Sequence, residues 1–263
     1  MVPQITLYKQ LSKWIAPPFR PELYQHMLFF KDGVAATNTH QAIFVPQTNL
    51  DSHMENTKGE LWNPGTDIIP QVDKDSGCDT LEKYLDEIVR HKFDRIKPVA
   101  DNILWSGTIP SDCLSEWKST LGLIQRLSRK KMRYGVETPV ILAKEGSNLV
   151  IYVSKNQYCQ AKFYLYTNLE IPSNVLDIQW HGAFNVEYFC NVVDFAIEIG
   201  APNIMLSITT DKYPLIVAEF QDIWSVCTYI RCFEDWGLDE FYELVNTPVR
   251  SPIMEESKDG SSS

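Results

Sequence analysis

What this chain lacks sets its bounds. No apolar run reaches the ~20 residues that a membrane-spanning helix needs, and the N-terminus has neither a basic stub before an apolar core nor a small-residue cleavage site. The expectation is a soluble, cytoplasmic protein with no membrane partner. Six cysteines (Cys78, Cys113, Cys159, Cys190, Cys227 and Cys232) are scattered without a CxxC pair. That spacing argues against structural zinc, and with no secretion signal a disulfide framework is disfavoured as well. Most of these cysteines fall inside apolar strand or helix patterns, so reduced, buried thiols are expected.

Signatures of catalysis are missing too. There is no glycine-rich phosphate loop, no GxSxG and no HExxH, and the five histidines His26, His40, His53, His91 and His181 stand in unrelated settings. The acid pairs Asp73/Asp75 and Glu234/Asp235 lie in loop-like or terminal sequence, where adjacent carboxylates are ordinarily solvated. Residues 73–79 superficially suggest a calcium loop. An EF-hand would place its glycine one residue after Gly77 and a glutamate where Tyr84 stands. The expectation is a non-enzyme with no catalytic residue, no metal and no cofactor.

Basic charge is scarce overall but concentrated. The net charge is −10, and residues 170–245 hold thirteen acidic side chains against two basic ones, Lys212 and Arg231. Residues 111–134 reverse the balance, with six basic and two acidic. Such a distribution suits a body that repels phosphate outside and holds it along a few helices, without reading bases. A solvated basic helix end explains the same pattern equally well on charge alone.

Among the residues present, 44% are apolar and 12% aromatic over 263 positions, enough for two domains of ~100–130 residues. The first is read as 1–109. It opens with an amphipathic helix over 6–16 that sets Leu7, Leu11, Trp14 and Ile15 opposite Lys9 and Lys13 and is broken by Pro17-Pro18. Strands over 24–30 and 34–45 follow, joined at Lys31-Asp32-Gly33, where the glycine is expected to supply a positive φ. Residues 46–79 read as a long loop with one short strand near 67–69. Thr80 starts a helix over 81–93, with acids early and Arg90, His91 and Lys92 late, as the helix dipole favours. A short strand over 103–105 precedes the boundary.

The second domain, 110–236, begins with Ser111 or Asp112 as cap and a helix to Ser128, apolar at Leu114, Trp117, Leu121, Ile124 and Leu127. Lys118, Arg126, Arg129, Lys130, Lys131 and Arg133 occupy its polar side and its end. No aromatic platform is interleaved with them, which argues against a single-strand binder. A hairpin over 139–153, a strand over 161–167 and another over 176–180 lead to the clearest stretch. From Asn185 a helix reads Val186, Phe189, Val192, Val193, Ala196, Ile197 and is stopped at Gly200-Ala201-Pro202, followed by strands over 204–209, 215–220 and 224–233. Residues 237–263 are read as a short amphipathic segment, a covering helix or a partner-docking peptide, and a disordered tail.

The order of helix, strand, "P-L-hydrophobic" strand and last strand, carried by Phe184, Asn185, Tyr188, 204–208, Pro214, Leu215 and Ile216, resembles one half of a domain of the DNA sliding clamps, bacterial β or PCNA-like. Asp32, Gly33, Thr37, Thr39 and His40 match the family's "x-D-G" turn and "T-x-x-H" strand end in the first half. The resemblance implies an α+β, DNA clamp fold of two clamp-like domains, each with antiparallel sheets and two helices. It further implies a polymerase processivity factor that encircles duplex DNA independently of sequence. Two domains per chain imply a ring-forming homotrimer, with a DNA polymerase and a clamp loader as partners and a phage-like context as one setting. On this resemblance Lys9, Lys13, Arg90, Lys92, Lys118, Arg126, Arg129, Lys130, Lys131 and Arg133 are the candidate DNA-binding residues, and Leu215, Ile216, Val226 and Tyr229 a candidate partner pocket. Two departures stand out: the first domain shows too few strands, and the helix after Asn185 carries Glu187, Asp194 and Glu198 with no basic residue. A clamp-fold interaction module that does not encircle DNA is the rival reading.

Overall fold

Met27–Phe30 (β1) reads Met-Leu-Phe-Phe, and Gly33–Thr37 (β2) and Gln41–Pro46 (β3) are nearly as apolar. A strand without a polar face must be covered on both sides. The structure, a computed structural model, meets this demand with helices on opposite faces. It describes residues 4–17, 20–50, 61–62, 77–96, 103–132, 135–145, 148–156, 159–165, 168–169, 181–209 and 215–228. All lie in a unit spanning Met1–Arg231; a second unit, Cys232–Ser263, is outside the described residues.

One face of the hairpin sheet, Met27, Phe29, Val34, Ala36, Ile43 and Val45, shares a core with Leu7 and Leu11 of α1 (Gln4–Leu11) and with Trp14. The other face, Leu28, Phe30, Ala35, Ala42 and Phe44, is covered by Leu85, Val89 and Phe93 of α2. This helix, residues 81–96, runs as Leu81–Tyr84, a π-helical turn Leu85–Val89 and Arg90–Ile96. Thr80 caps it, its side chain accepting from the Lys83 N–H. Three buried apolar side chains contribute ~1.5–3 kcal/mol each. The partly exposed pair Arg90–Asp32 adds ~0–1 kcal/mol, so apolar burial holds α2 in place.

The remaining elements complete the sheets. After the two-residue strand β4 (Leu61–Trp62), β5 (Ile103–Pro110) leads through a 3-10 turn, Ser111–Cys113, into α3 (Leu114–Ser128). A small hairpin follows, β6 (Lys130–Met132) and β7 (Gly135–Glu137), then β8 (Pro139–Glu145), β9 (Asn148–Asn156), β10 (Cys159–Leu165) and β11 (Asn168–Leu169). β12 (His181–Asn185) enters α4 (Val186–Glu198), and β13 (Asn203–Thr209), β14 (Leu215–Phe220) and β15 (Ile223–Thr228) complete the described chain. Nine strands form one sheet in the order β11-β5-β13-β14-β15-β3-β2-β1-β4, four form a second, β10-β9-β8-β12, and β6-β7 stands apart. Every pairing is antiparallel. The main core lies where one face of each large sheet meets α1, α3 and α4.

The helix after Asn185 is where the pattern places it: the Asn185 side chain accepts from the Glu187 N–H, and Gly200 at φ +66° ends it. Several local expectations are corrected. The strand expected over 34–45 is two strands, because Asn38 Oδ1 accepts the N–H groups of His40 and Gln41 and turns the chain through Thr39 at φ +76°. Gly33 does not supply a positive φ. It is required because a Cβ there would run into the Val45 carbonyl oxygen and come within 2.7 Å of Phe44 Cζ. Neither Ser111 nor Asp112 caps α3; the 3-10 turn precedes it with no side-chain cap. The first helix ends at Leu11, and the strand expected over 103–105 extends to Pro110, hydrogen-bonded to β13 from Ile103↔Thr209 to Pro110↔Asn203. The strands expected over 67–69 and 176–180 and the segment after 237 lie outside the described residues.

The two glycines Gly33 and Gly122 therefore predict opposite outcomes. Gly33→Ala forces a clash in the tight β2–β3 pairing and is expected to lower stability by about 1–3 kcal/mol. Gly122→Ala, in α3 with open space around the added Cβ, is expected to raise it by up to ~1 kcal/mol. Denaturant midpoints of the two variants check both signs.

Candidate nucleic-acid interface

On α3 the residues Leu114, Trp117, Leu121, Ile124 and Ser128 recur at three and four positions and are buried. That seam leaves Lys118 and Arg126 on the exposed side, with Arg129 just past the helix end. α4 buries Val186, Phe189, Val192, Val193 and Ala196 in the same way and leaves Glu187 and Glu198 exposed and Asp194 half-buried. On α1 the same logic turns Lys9 outward while Leu7 and Leu11 go in.

The polar sides of the three helices meet. Lys13 Nζ lies 3.1 Å from Asp194 Oδ2 and Lys118 Nζ lies 2.8 Å from Asp194 Oδ1. Lys9 Nζ is 3.4 Å from Glu198 Oε1, and the Gln10 side-chain amide donates to Glu198 Oε2 at 3.4 Å. α4 is thus flanked by α1 and α3, and its acids take up a lysine from each. Burial of Asp194 works against ionisation, but hydrogen bonds from Lys118 and Lys13 and their charges outweigh it and hold the carboxyl below its usual range. Lys118 is shifted the other way, its pKa raised by the hydrogen bond to Asp194 and by that carboxylate's charge.

The candidate DNA-binding residues consequently fall into three groups. Lys9, Lys13 and Lys118 are brought together but each is already paired with an acid. Arg126 and Arg129 are exposed and make no ion pair among the described residues. Lys130 and Lys131 lie on the strand β6, in register with Glu137 and Val136, rather than on the end of a helix; Arg133 is outside the described residues. Arg90 and Lys92 belong to α2, on the opposite face of the nine-stranded sheet from α1, α3 and α4. Arg90 is engaged there, with its guanidinium 4.1 Å from the Phe44 ring centre and ion pairs to Asp32 at 3.0 Å and Asp94 at 2.5 Å. Composition alone did not reveal these neutralising pairs, because Lys13 and Asp194 are 181 positions apart.

The candidate partner-pocket residues do not share one face. Ile216 turns toward α4 and lines a small apolar cavity with Tyr188, Phe189, Val192, Leu206, Ala218, Ser225 and Cys227. Val226 and its cross-strand neighbour Val217 turn the other way, into the cluster under α2, against which Leu215 also packs. Leu215 and Ile216 are consecutive on a strand and so must point to opposite sides. Tyr229 is outside the described residues. Burial pushes the Cys227 thiol in its lining up to about 12.

No family model and no curated relative matches the sequence. Solved structures do match. The chain is similar to the Helicobacter pylori β clamp bound to a DNA ligase peptide (13% identity, TM-score 0.51), covering 86% of this chain and 63% of that one. It is similar to DNA polymerase III subunit β of Pseudomonas aeruginosa (13% identity, TM-score 0.54, 86% and 63%) and to the β chain of Streptococcus pneumoniae (10% identity, TM-score 0.53, 88% and 64%). The architecture is α+β, and the fold is that of the DNA sliding clamps. The chain spans a little under two thirds of the length of these clamps.

The depressed Asp194 carboxyl predicts a pH signature. A group whose pKa is lower in the folded state contributes stability above its unfolded value and loses it as pH falls through the folded one. The gap in melting temperature between the wild type and Asp194→Asn is therefore expected to be full at neutral pH, to narrow below the ordinary carboxyl value of 3.8, and to close at lower pH. Melting curves from neutral pH downward check it.

Proposed function

We propose that this chain is a sliding-clamp-like processivity factor: it closes into a ring around duplex DNA, independently of sequence, and tethers a DNA polymerase and other replication proteins. The observation that carries the reading is the clamp fold with α1, α4 and α3 side by side and exposed cations at the α3 end. In the clamp family such helices line the ring and face DNA. Long flexible cations there neutralise phosphates spaced ~1.7 Å per charge without contacting base edges. Arg126, Arg129, Lys130, Lys131 and Arg133 are assigned as the principal phosphate contacts, with Lys9, Lys13 and Lys118 beside them. Arg90 and Lys92 are left out of the channel, since α2 sits on the other face.

The domain division at 109–110 belongs to this reading, and with two clamp-like domains per chain a six-domain ring is a homotrimer opened by a clamp loader. Partner segments dock on the outer surface near β14 and β15, where Leu215 and Val226 pack against α2. The protein carries no catalysis, metal or cofactor of its own and works in the cytoplasm, a phage-like replication system being one context. The neutralised lysines favour one rival, a clamp-fold module that binds proteins without encircling DNA.

Light scattering with nicked circular DNA separates the two. A trimer is expected that stays on the circle, slides off once it is linearised, and fails to load when Arg126, Arg129, Lys130 and Lys131 are alanine. A monomer indifferent to DNA would leave the interaction module as the better account.

A further inference from the structure

We propose that Asp194 and Glu198 of α4 act as a built-in counter-anion, moderating how tightly the helical surface grips nucleic-acid phosphate. The inference rests on the duplex-binding reading above and concerns the regulation of that same surface. Lys13, in the turn after α1, and Lys118, on α3, approach the two oxygens of a single carboxylate from opposite flanks, so one acid occupies two cations. Glu198, one turn further along α4, occupies Lys9. The lysine side chains are accessible to different degrees: Lys9 is 64% exposed, Lys118 57% and Lys13 30%. A phosphate oxygen therefore competes with a carboxylate oxygen for the same donor, against an anion that the fold keeps permanently within reach.

A purely structural role explains the arrangement less well. The exposed Lys9–Glu198 pair adds little to stability, the half-buried Asp194 adds only the pH-dependent share described above, and the apolar seams of α3 and α4 already fix these helices. What the acids do change is charge. They cancel the positive field over the middle of the helical surface and leave Arg126 and Arg129 as its described uncompensated cations. A surface so divided anchors phosphate at the α3 end and holds it weakly elsewhere, which suits a protein that must stay on duplex yet move along it.

Binding of a labelled 30-base-pair duplex by fluorescence anisotropy across a salt series tests this on the full chain. Asp194→Asn frees two lysines. It is expected to tighten binding about tenfold at low salt and to steepen the plot of log affinity against log salt by about one to two, each phosphate contact adding ~0.9. Glu198→Gln frees one lysine and should steepen it by about half as much, while Asp194→Glu should match the wild type. Melting curves confirm that each variant is folded, and Glu198→Gln decides the matter if Asp194→Asn is not. If the wild type binds duplex and the freed-lysine variants show the same or weaker affinity with an unchanged slope, the counter-anion role is overturned while the duplex reading stands. If neither the wild type nor any variant binds duplex at low salt, both fall.

Discussion

The pairing of β3 with β15 is the constraint on which the rest of the molecule depends. Trp224↔Phe44, Ser225↔Ile43, Val226↔Ala42 and Cys227↔Gln41 join strands about 180 residues apart in sequence. Thr228 adds two hydrogen bonds, from its N–H and its hydroxyl, to the His40 carbonyl. Because side chains alternate along a strand, this register settles which face each residue serves. Trp224 and Val226 join Phe44 and Ala42 beneath α2, with the Trp224 ring stacked on Phe44 at 5.9 Å and tilted against Phe93 at 6.3 Å. On the other side Ile43 and Cys227 enter the core shared with α1 and α4. A slip by one residue would exchange the two faces and mismatch the packing beneath both helix layers.

That same register creates the electrostatic surface. By joining the N-terminal strands to the sheet that carries α4, it places α1 beside α4 and brings Lys9 and Lys13 to Glu198 and Asp194. Gln41, on β3, reinforces the placement by donating from its side-chain amide to the Lys13 carbonyl. Packing and charge are thus coupled: the apolar seams of three helices decide their spacing, and the spacing decides which lysines are paired. The acidity of α4, which looks unsuited to a phosphate-facing helix when its residues are counted alone, becomes intelligible once its acids are seen to hold lysines from both neighbours.

Local patterns were legible wherever short-range physics rules. Asn185, the 3.6-residue apolar period after it and Gly200 define α4; Thr80 defines the start of α2; the seam Leu114, Trp117, Leu121, Ile124 defines α3. The misses share a cause. The turn at Asn38–His40 is made by an asparagine side chain without glycine or proline. The basic run at Lys130 and Lys131 reads as a helix end although their backbone pairs with β7, a choice that three residues of sequence cannot decide.

Local residue patterns were enough for the polarity of the helices, the concentration of cations between 111 and 134, and the resemblance to a clamp carried by Phe184–Tyr188 and the strands after it. Periodicity, capping and charge counts are local quantities, and a local reading recovers them. Long-range packing, by contrast, sets α2 on one face and α1, α3 and α4 on the other, turns Leu215 and Ile216 to different faces, and pairs three of the candidate lysines with acids. Each of these depends on partners far apart in the chain, and their meeting is set by the β3–β15 register rather than by any pattern within one segment.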